Sequence, residues 1–558
     1  MSRMDRELVQ PAAVDIGNYG PQAGDVIALG DLNLNLRIER RVPDRGDEFH
    51  VGFAKTGRDG IGLTPVPTAE SCDVVLTNVI VMDPVDGIYV ASIGIREGRI
   101  SGIGKAGNPN TMNNVDVVVG SGTVVISADG MIATPGGVDA HVHSLTPRVF
   151  EAMLSSGITT VIAQEAGPVW GVGLGSRWFL DQAHRAMERY PMNIGLLGRA
   201  SAATVDPLRE AIAGQVCGFK VHEDTGATLR TLDTALRLAD EIDVQVALHT
   251  DGLNETLSVA DTVDVIAGRA IHAYHVEGCG GGHAPDVLTL AGRDNILASS
   301  TNPTLPYGTN AVSEHLDMIL LCHGMNSQRE ADIRIARARV RGFTMAAENQ
   351  LHDKGVIPMT SSDAQGMGRA GETWWRTFAM ASVLGSTEDN TNARLLRYLA
   401  KITINPALTH GLAHEIGTLT PGKLADIILW RPAQFAAKPW LVLKSGFPAW
   451  GETGDPNASL PDTEPLQLSA QFGAMGSAPS ELSRLITSVA GNAESHNHSH
   501  RKIITVRNAR TVRGTDMVNH GVLGQVSVSG TSGSVYFNDE ELLGQPVSTV
   551  PISRLHFW

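Results

Sequence analysis

The order of apolar and polar positions divides the chain into two kinds of region. From Cys72 to about Ile126, apolar runs of strand length alternate with turns: Asp73–Met82, then Ala91–Arg96, a Glu97-Gly98 turn, and Arg99–Gly104. Runs of this kind predict a small β-rich domain. A matching signature returns at Gly417–Trp430, so segments from both sides of the central region are expected to complete that domain. Between them, strand-like and helical stretches alternate as in consecutive βα units. Strands are expected near 131–141, 158–163, 193–198, 217–222, 244–249, 270–276, 295–299 and 356–363. Helices are expected at Arg177–Arg189, Ala227–Glu241 and Leu257–Ala267, with a long helical segment from Ser313 to about Leu351. That last connection exceeds a plain βα loop and has the length of a lid, with Cys322–Asn326 as its mobile part. The Pro-, Gly- and Ala-rich region 431–480 reads as irregular, and the histidine-bearing stretch Asn492–His500 as a solvated loop. Strand patterns resume near Lys502–Val506 and Gly521–Val528.

The predicted fold class is α/β: a (β/α)8 TIM-type barrel with a β-rich composite domain built from N- and C-terminal segments. Residues 1–130 form its N-terminal part, 131–415 the barrel with a flap near 313–351, and 416–558 the β-rich return and tail. A length of 558 residues holds such a barrel plus a smaller domain. A formal net charge of −15 speaks against a nucleic-acid partner. Cys72, Cys217, Cys279 and Cys322 lack C-x-x-C spacing, so neither a disulfide framework nor a thiolate zinc site is implied. The absence of an apolar leader near Met1–Gly17, and of any apolar run approaching roughly 18 residues, predicts a cytoplasmic protein without a membrane span.

Six residues change this picture from architecture to chemistry. His141, His143, Lys220, His249, His275 and Asp363 each end a short apolar run, and barrel enzymes gather their chemistry at the C-terminal ends of strands. His141 and His143 are separated by one residue and so point to one side of a strand, where they could grip one ion or lie in a satisfied core. Lys220 could be a surface lysine; buried near two metals, its amine would lose its proton and could take up carbon dioxide, giving a carbamate oxygen to each ion. Imidazoles from His249 and His275 and the Asp363 carboxylate complete a nitrogen and oxygen set suited to nickel, zinc, iron or manganese. Two such ions would acidify a bridging water to hydroxide near neutral pH. His222, on the same strand face as Lys220, could donate to a substrate carbonyl, and His323 on the lid could protonate a departing amine. Asp224 and Arg339 could orient it, or could form ordinary surface ion pairs.

Taken with the runs around them, these residues resemble the urease alpha-subunit family of the amidohydrolase superfamily. The resemblance covers nearly the whole chain. It rests on Tyr19–Asp25, Gly57–Gly62, Gly136-Gly-Val-Asp-Ala-His-Val-His143, Asn193–Gly198, Gly218-Phe-Lys-Val-His-Glu-Asp224, Ala247–His249 and His275–His283. It continues through Ser300–Tyr307, Thr360–Asp363 and Ile404–His410. The resemblance implies two nickel ions per chain. His249 and His275 would hold one, His141, His143 and Asp363 the other, and N6-carboxylated Lys220 would bridge them. It further implies urea as substrate, with His222 on the urea oxygen and His323 as the flap's acid–base residue, held by Asp224 with Cys322 beside it and Arg339 near. Smaller beta and gamma subunits in a heteromeric oligomer, and accessory proteins that load nickel, are the implied partners.

The chain departs from the family pattern near the substrate. Gly324 stands where a second flap histidine is usual, Thr225 where a tryptophan is usual, and Gly366 where alanine is usual in the pocket wall. Gly167–Trp178 replaces a longer, threonine-rich segment. A wider pocket is expected. Two alternatives to urea hydrolysis follow: a dimetal amidohydrolase acting on a related amide, amidine or substituted urea, and a non-catalytic metal-binding paralogue.

Overall fold

The computed structural model describes residues 20–552 apart from 68–69, 145, 165–174, 250–257, 279–284, 386–390, 455–466, 495–498 and 530–532. Eight parallel strands form a barrel in sequence order: β1 (Gly137–His143), β2 (Ile158–Gln164), β3 (Asn193–Arg199), β4 (Gly218–Val221), β5 (Gln245–His249), β6 (Ile271–Tyr274), β7 (Ile296–Thr301) and β8 (Met359–Ser361). Every described position in β1 and β2 is buried, as expected of parallel strands covered on both faces. The ring closes just past β8. Asp363 N–H donates to His141 O at 2.9 Å, and His143 N–H to Ala364 O at 2.9 Å, so Val142 and Ala364 form a parallel bridge.

A second sheet is built from both ends of the chain. Val74–Asp83 and Gly87–Arg96 form an antiparallel hairpin whose turn is held by the Asp83 carboxylate, which accepts the N–H of Val85 (2.8 Å) and of Asp86 (3.0 Å). From the other end come Ile427–Trp430, Leu441–Lys444, Phe447–Thr453 and Gln467–Ala470. The short strand Ile132–Pro135 joins the halves, pairing parallel with Val74–Asp83 and antiparallel with Ile427–Trp430. A buried ion pair fixes this sheet to the barrel: Lys444 Nζ lies 2.7 and 2.8 Å from the two Asp426 oxygens, one of which also accepts from Asn193 of β3 at 2.8 Å.

Three differences from the sequence reading have physical causes. Residues 131–141, read as one strand, are two in different sheets, because the chain bends at Gly136, where a Cβ would collide with the Thr159 side chain. Region 431–480 is not irregular: it contains three strands of the second sheet, whose alternation is diluted by small residues. Arg484–Thr487 and Lys502–Thr505 do not extend that second sheet; they pair parallel with each other and add to barrel strand β3. The long segment between β7 and β8 resolves into α1 (Ala311–Cys322), α2 (Glu330–Arg339) and α3 (Gly342–Asp353). No helix among the described residues is long and apolar enough to cross a membrane.

Candidate metal centre

The barrel topology brings the strand-end residues together. His141 and His143 leave β1 on one side, and closure of the ring sets Asp363 against them. Asp363 Oδ1 lies 3.1 Å from His141 Nε2 and 3.2 Å from His143 Nε2. All three are buried, and their donor atoms lie within 4.8 Å of one another, a spacing that fits one metal ion. Asp363 sits at φ 54° and His275 at φ 31°, a region that non-glycine residues seldom adopt. Burial pushes the His141 ring well below the ordinary imidazole value. Burial would raise the Asp363 carboxyl, but the attraction and hydrogen bonds of His141 and His143 hold it well below the carboxylate range. A neutral His141 imidazole beside an ionised Asp363 carboxylate has the protonation states that metal binding requires.

The second group is adjacent. The rings of His249 and His275 are 4.4 Å apart, and His275 lies 5.5 Å from His141, centroid to centroid. Lys220 is fully buried, its Nζ 3.8 Å from the centre of the Tyr274 ring. Tyr274 also stacks on His141 at 3.7 Å and donates its hydroxyl to Ala140 O at 2.7 Å, so one ring orders a residue of each group. His222 lies 4.0 Å from His249, ring to ring, and burial holds it well below the ordinary imidazole value.

His323 caps the C-terminus of α1 and brings its ring within 6.2 Å of His249. Cys322 Sγ donates to Gly366 O at 2.8 Å, tying that end of the helix to the loop after β8. Arg339, at the end of α2, is buried, with Nη1 3.6 Å from Glu223 Oε1. The side chain of Asp224 lies outside the described residues, as does most of the Gly167–Trp178 segment.

Glu223 was not singled out from sequence, yet its Oε1 also lies 3.3 Å from His249 Nε2 and 3.9 Å from His323 Nδ1. Asp139 was missed as well: its Oδ1 accepts from the backbone N–H of His141 (3.2 Å) and Ser362 (3.1 Å), bracing the closure, and burial pushes its carboxyl up to about 6. A charged residue in a fully buried strand was the available signal. Gln164, the last residue of β2, occupies a position equivalent to the other strand-end residues.

The three departures around the pocket differ in what they face. At Gly366 an added Cβ would meet the Asp363 carboxylate and approach His143 to 2.8 Å. Thr225 is exposed, its hydroxyl 2.6 Å from that of Ser201. Gly324 has φ 61° and nothing within 4 Å of where a Cβ would stand, so its substitution removes a side chain from open space.

The barrel and its buried donor cluster are those of a metal-dependent amidohydrolase, and the amidohydrolase family model matches residues 132–455. The model for the N-terminal domain of the urease alpha-subunit matches residues 12–126. The chain is 54% identical over 546 residues to urease subunit alpha 1 of Streptomyces avermitilis, covering 97% of this chain and 98% of that one. It is 44% identical over 561 residues to the urease subunit alpha of Photorhabdus laumondii, with 97% and 98% covered. The chain therefore belongs to the urease alpha-subunit family. Among solved structures it is similar to dihydropyrimidinase from Brevibacillus agri, at 14% identity and a TM-score of 0.48, covering 67% of this chain and 94% of that one.

Proposed function

We propose that this chain hydrolyses urea to ammonia and carbamate as the alpha subunit of a urease, using two nickel ions at the mouth of the barrel. The observation that carries this reading is the buried cluster of His141, His143 and Asp363 beside the His249 and His275 pair, in a chain so similar to urease alpha subunits. His141, His143 and Asp363 would hold one ion and His249 and His275 the other, with Lys220, carboxylated on Nζ, offering an oxygen to each. When bound, the ions supply a water acidic enough to act as a nucleophile near neutral pH. The residues of the chain position and protonate. His222, kept neutral by burial, donates its ring N–H to the substrate carbonyl oxygen. His323 delivers a proton to the departing amine, oriented by Asp224, Glu223 and Arg339, while Cys322 anchors the flap to Gly366. Beta and gamma subunits and nickel-loading accessory proteins complete the cytoplasmic assembly.

A second reading, hydrolysis of a related amide, amidine or substituted urea, rests on Gly324, which leaves open space on the flap; Gly366 adds none, because a Cβ there would meet the Asp363 carboxylate and His143. One experiment separates the two: metal analysis and ammonia release by protein made with its accessory proteins and partner subunits. The first reading requires two nickel ions per chain and ammonia from urea. Two metals with turnover of a small amide and none of urea would replace it with the second.

A further inference from the structure

The first barrel strand is irregular where its ligands begin. In the parallel ladder Asp139 pairs with Val161 and Val142 with Ala163, so Ala140 and His141 of β1 stand against Ile162 alone, a bulge of one extra residue. A bulge takes backbone groups out of the ladder, and in a buried strand those groups need other partners. His141 N–H donates to Asp139 Oδ1 at 3.2 Å, His141 O accepts from Asp363 N–H at 2.9 Å, and Ala140 O accepts the Tyr274 hydroxyl at 2.7 Å. Tyr274 ends β6, and β7 and β8 stand between β6 and β1 in the ring, so this last bond crosses the barrel interior. The same side chain stacks on the His141 imidazole, 3.7 Å between centres and 14° between planes. Neither contact competes with an ion. Stacking uses the face of the imidazole, whereas a nitrogen binds metal through a lone pair in the ring plane, and the Ala140 carbonyl is no ligand.

We propose that Tyr274 is a positioning residue of the metal centre: a strut from β6 that pins the β1 bulge through its hydroxyl and orients His141 through its ring, making the ion at His141, His143 and Asp363 slow to leave. This rests on the proposed two-ion site and deepens it. A phenylalanine would fill the same buried space and stack on the same imidazole; the hydroxyl adds the bond to the bulge. Without an ion the bulge is free to relax, but a bound ion holds His141 in place, so loss of that bond falls mainly on the metal-loaded state.

The test is the rate at which a chelator removes nickel from holoenzyme made with its accessory proteins and partner subunits, with metals per chain determined at the start. Tyr274→Phe keeps the stack and loses the strut. It should lose nickel about tenfold faster than wild type, the worth of one hydrogen bond. A folded Tyr274→Phe protein that starts with fewer than two ions is the stronger form of the same result. Tyr398→Phe is the control: its hydroxyl is also fully buried and bonds Asp353 Oδ1 at 3.0 Å, outside the metal centre. That change should lower resistance to guanidinium chloride and leave nickel release at the wild-type rate. Wild-type release from Tyr274→Phe overturns the proposal, and so does equally fast release from Tyr398→Phe, which would make the loss a matter of general stability. Wild type that holds two ions but releases no ammonia from urea removes the hydrolytic reading and leaves the release rates to decide the role of Tyr274. Wild type that holds no nickel overturns both.

Discussion

Lys220 and Lys401 are both fully buried, at opposite ends of the same barrel, and they are buried for different reasons. Around Lys401 the protein supplies acceptors: His352 O at 3.3 Å, Ile357 O at 2.6 Å and His520 Nε2 at 2.8 Å. Burial holds its amine well below the ordinary lysine value, and the three acceptors offset part of the desolvation. Around Lys220 stand the Tyr274 ring and, close enough to feel its charge, the His141 and His222 imidazoles. At the base, other protein groups complete the Lys401 amine, whereas the mouth gathers the donor atoms of His141, His143 and Asp363 close enough to hold one ion. Burial of a lysine is therefore no sign of function by itself; its surroundings are.

The sharpest way to break this contrast is Lys220→Ala. It should abolish two-metal binding and lower urea hydrolysis below detection while the chain stays folded, with small carboxylic acids restoring part of the activity by supplying oxygens. Two tightly held metals in the untreated variant, by elemental analysis, would remove Lys220 from the metal centre.

At the flap, His323→Ala should lower kcat by about 10²–10⁴-fold with a much smaller change in KM, since protonating the leaving amine helps only in the transition state. Steady-state kinetics on fully metallated protein checks this. A loss confined to KM would assign His323 to binding instead.

Lys401→Met should do the reverse of Lys220→Ala. Leaving Ile357 O and His520 Nε2 without the Lys401 donor, while His352 O keeps the Gly355 N–H, is expected to reduce stability by about 2 kcal/mol or more, with metal content unchanged. Guanidinium chloride is the denaturant of choice, because urea is the proposed substrate. Metal loss in the folded variant would mean that base and mouth are coupled.

The smallest effect is in the pH dependence of the base. His410 lies 3.0 Å from His272, ring nitrogen to ring nitrogen, and burial pushes it down to about 3. Its unfolded value is near 6.5, so its contribution is fully present above that pH and lost as pH falls toward 3. The slope is at most about 1.4 kcal/mol per pH unit. His410→Gln should flatten the stability curve between roughly pH 4 and 6 relative to wild type, and an unaltered slope would show that His410 is not the group that titrates.

The strand-end residues were legible because each terminates an apolar run, and a barrel reading sends such termini to one place. What escaped depends on neighbours from other strands. Nothing in the local sequence around Gln164 says that His143 stands beside it; that follows from the register of β1 on β2. Tyr274 reads as one more apolar residue before His275, and only the turn of the barrel sets its ring against His141 and Lys220. Glu223 was passed over because its carboxylate meets His249, His323 and Arg339, which come from β5, α1 and α2. Strands such as Leu441–Lys444 were hidden by their brevity in a stretch rich in Ala, Gly and Pro.

The seam where β1 meets the end of β8 carries a consequence for how the protein comes into being. Ser362 and His141 are 221 residues apart, and the backbone bonds that join this seam are made by His141, His143 and Asp363 themselves. A growing chain displays the His-x-His motif long before its third donor has been synthesised. The three-donor cluster exists only once the last strand has docked. A metal site at this seam would therefore report that the whole barrel is complete.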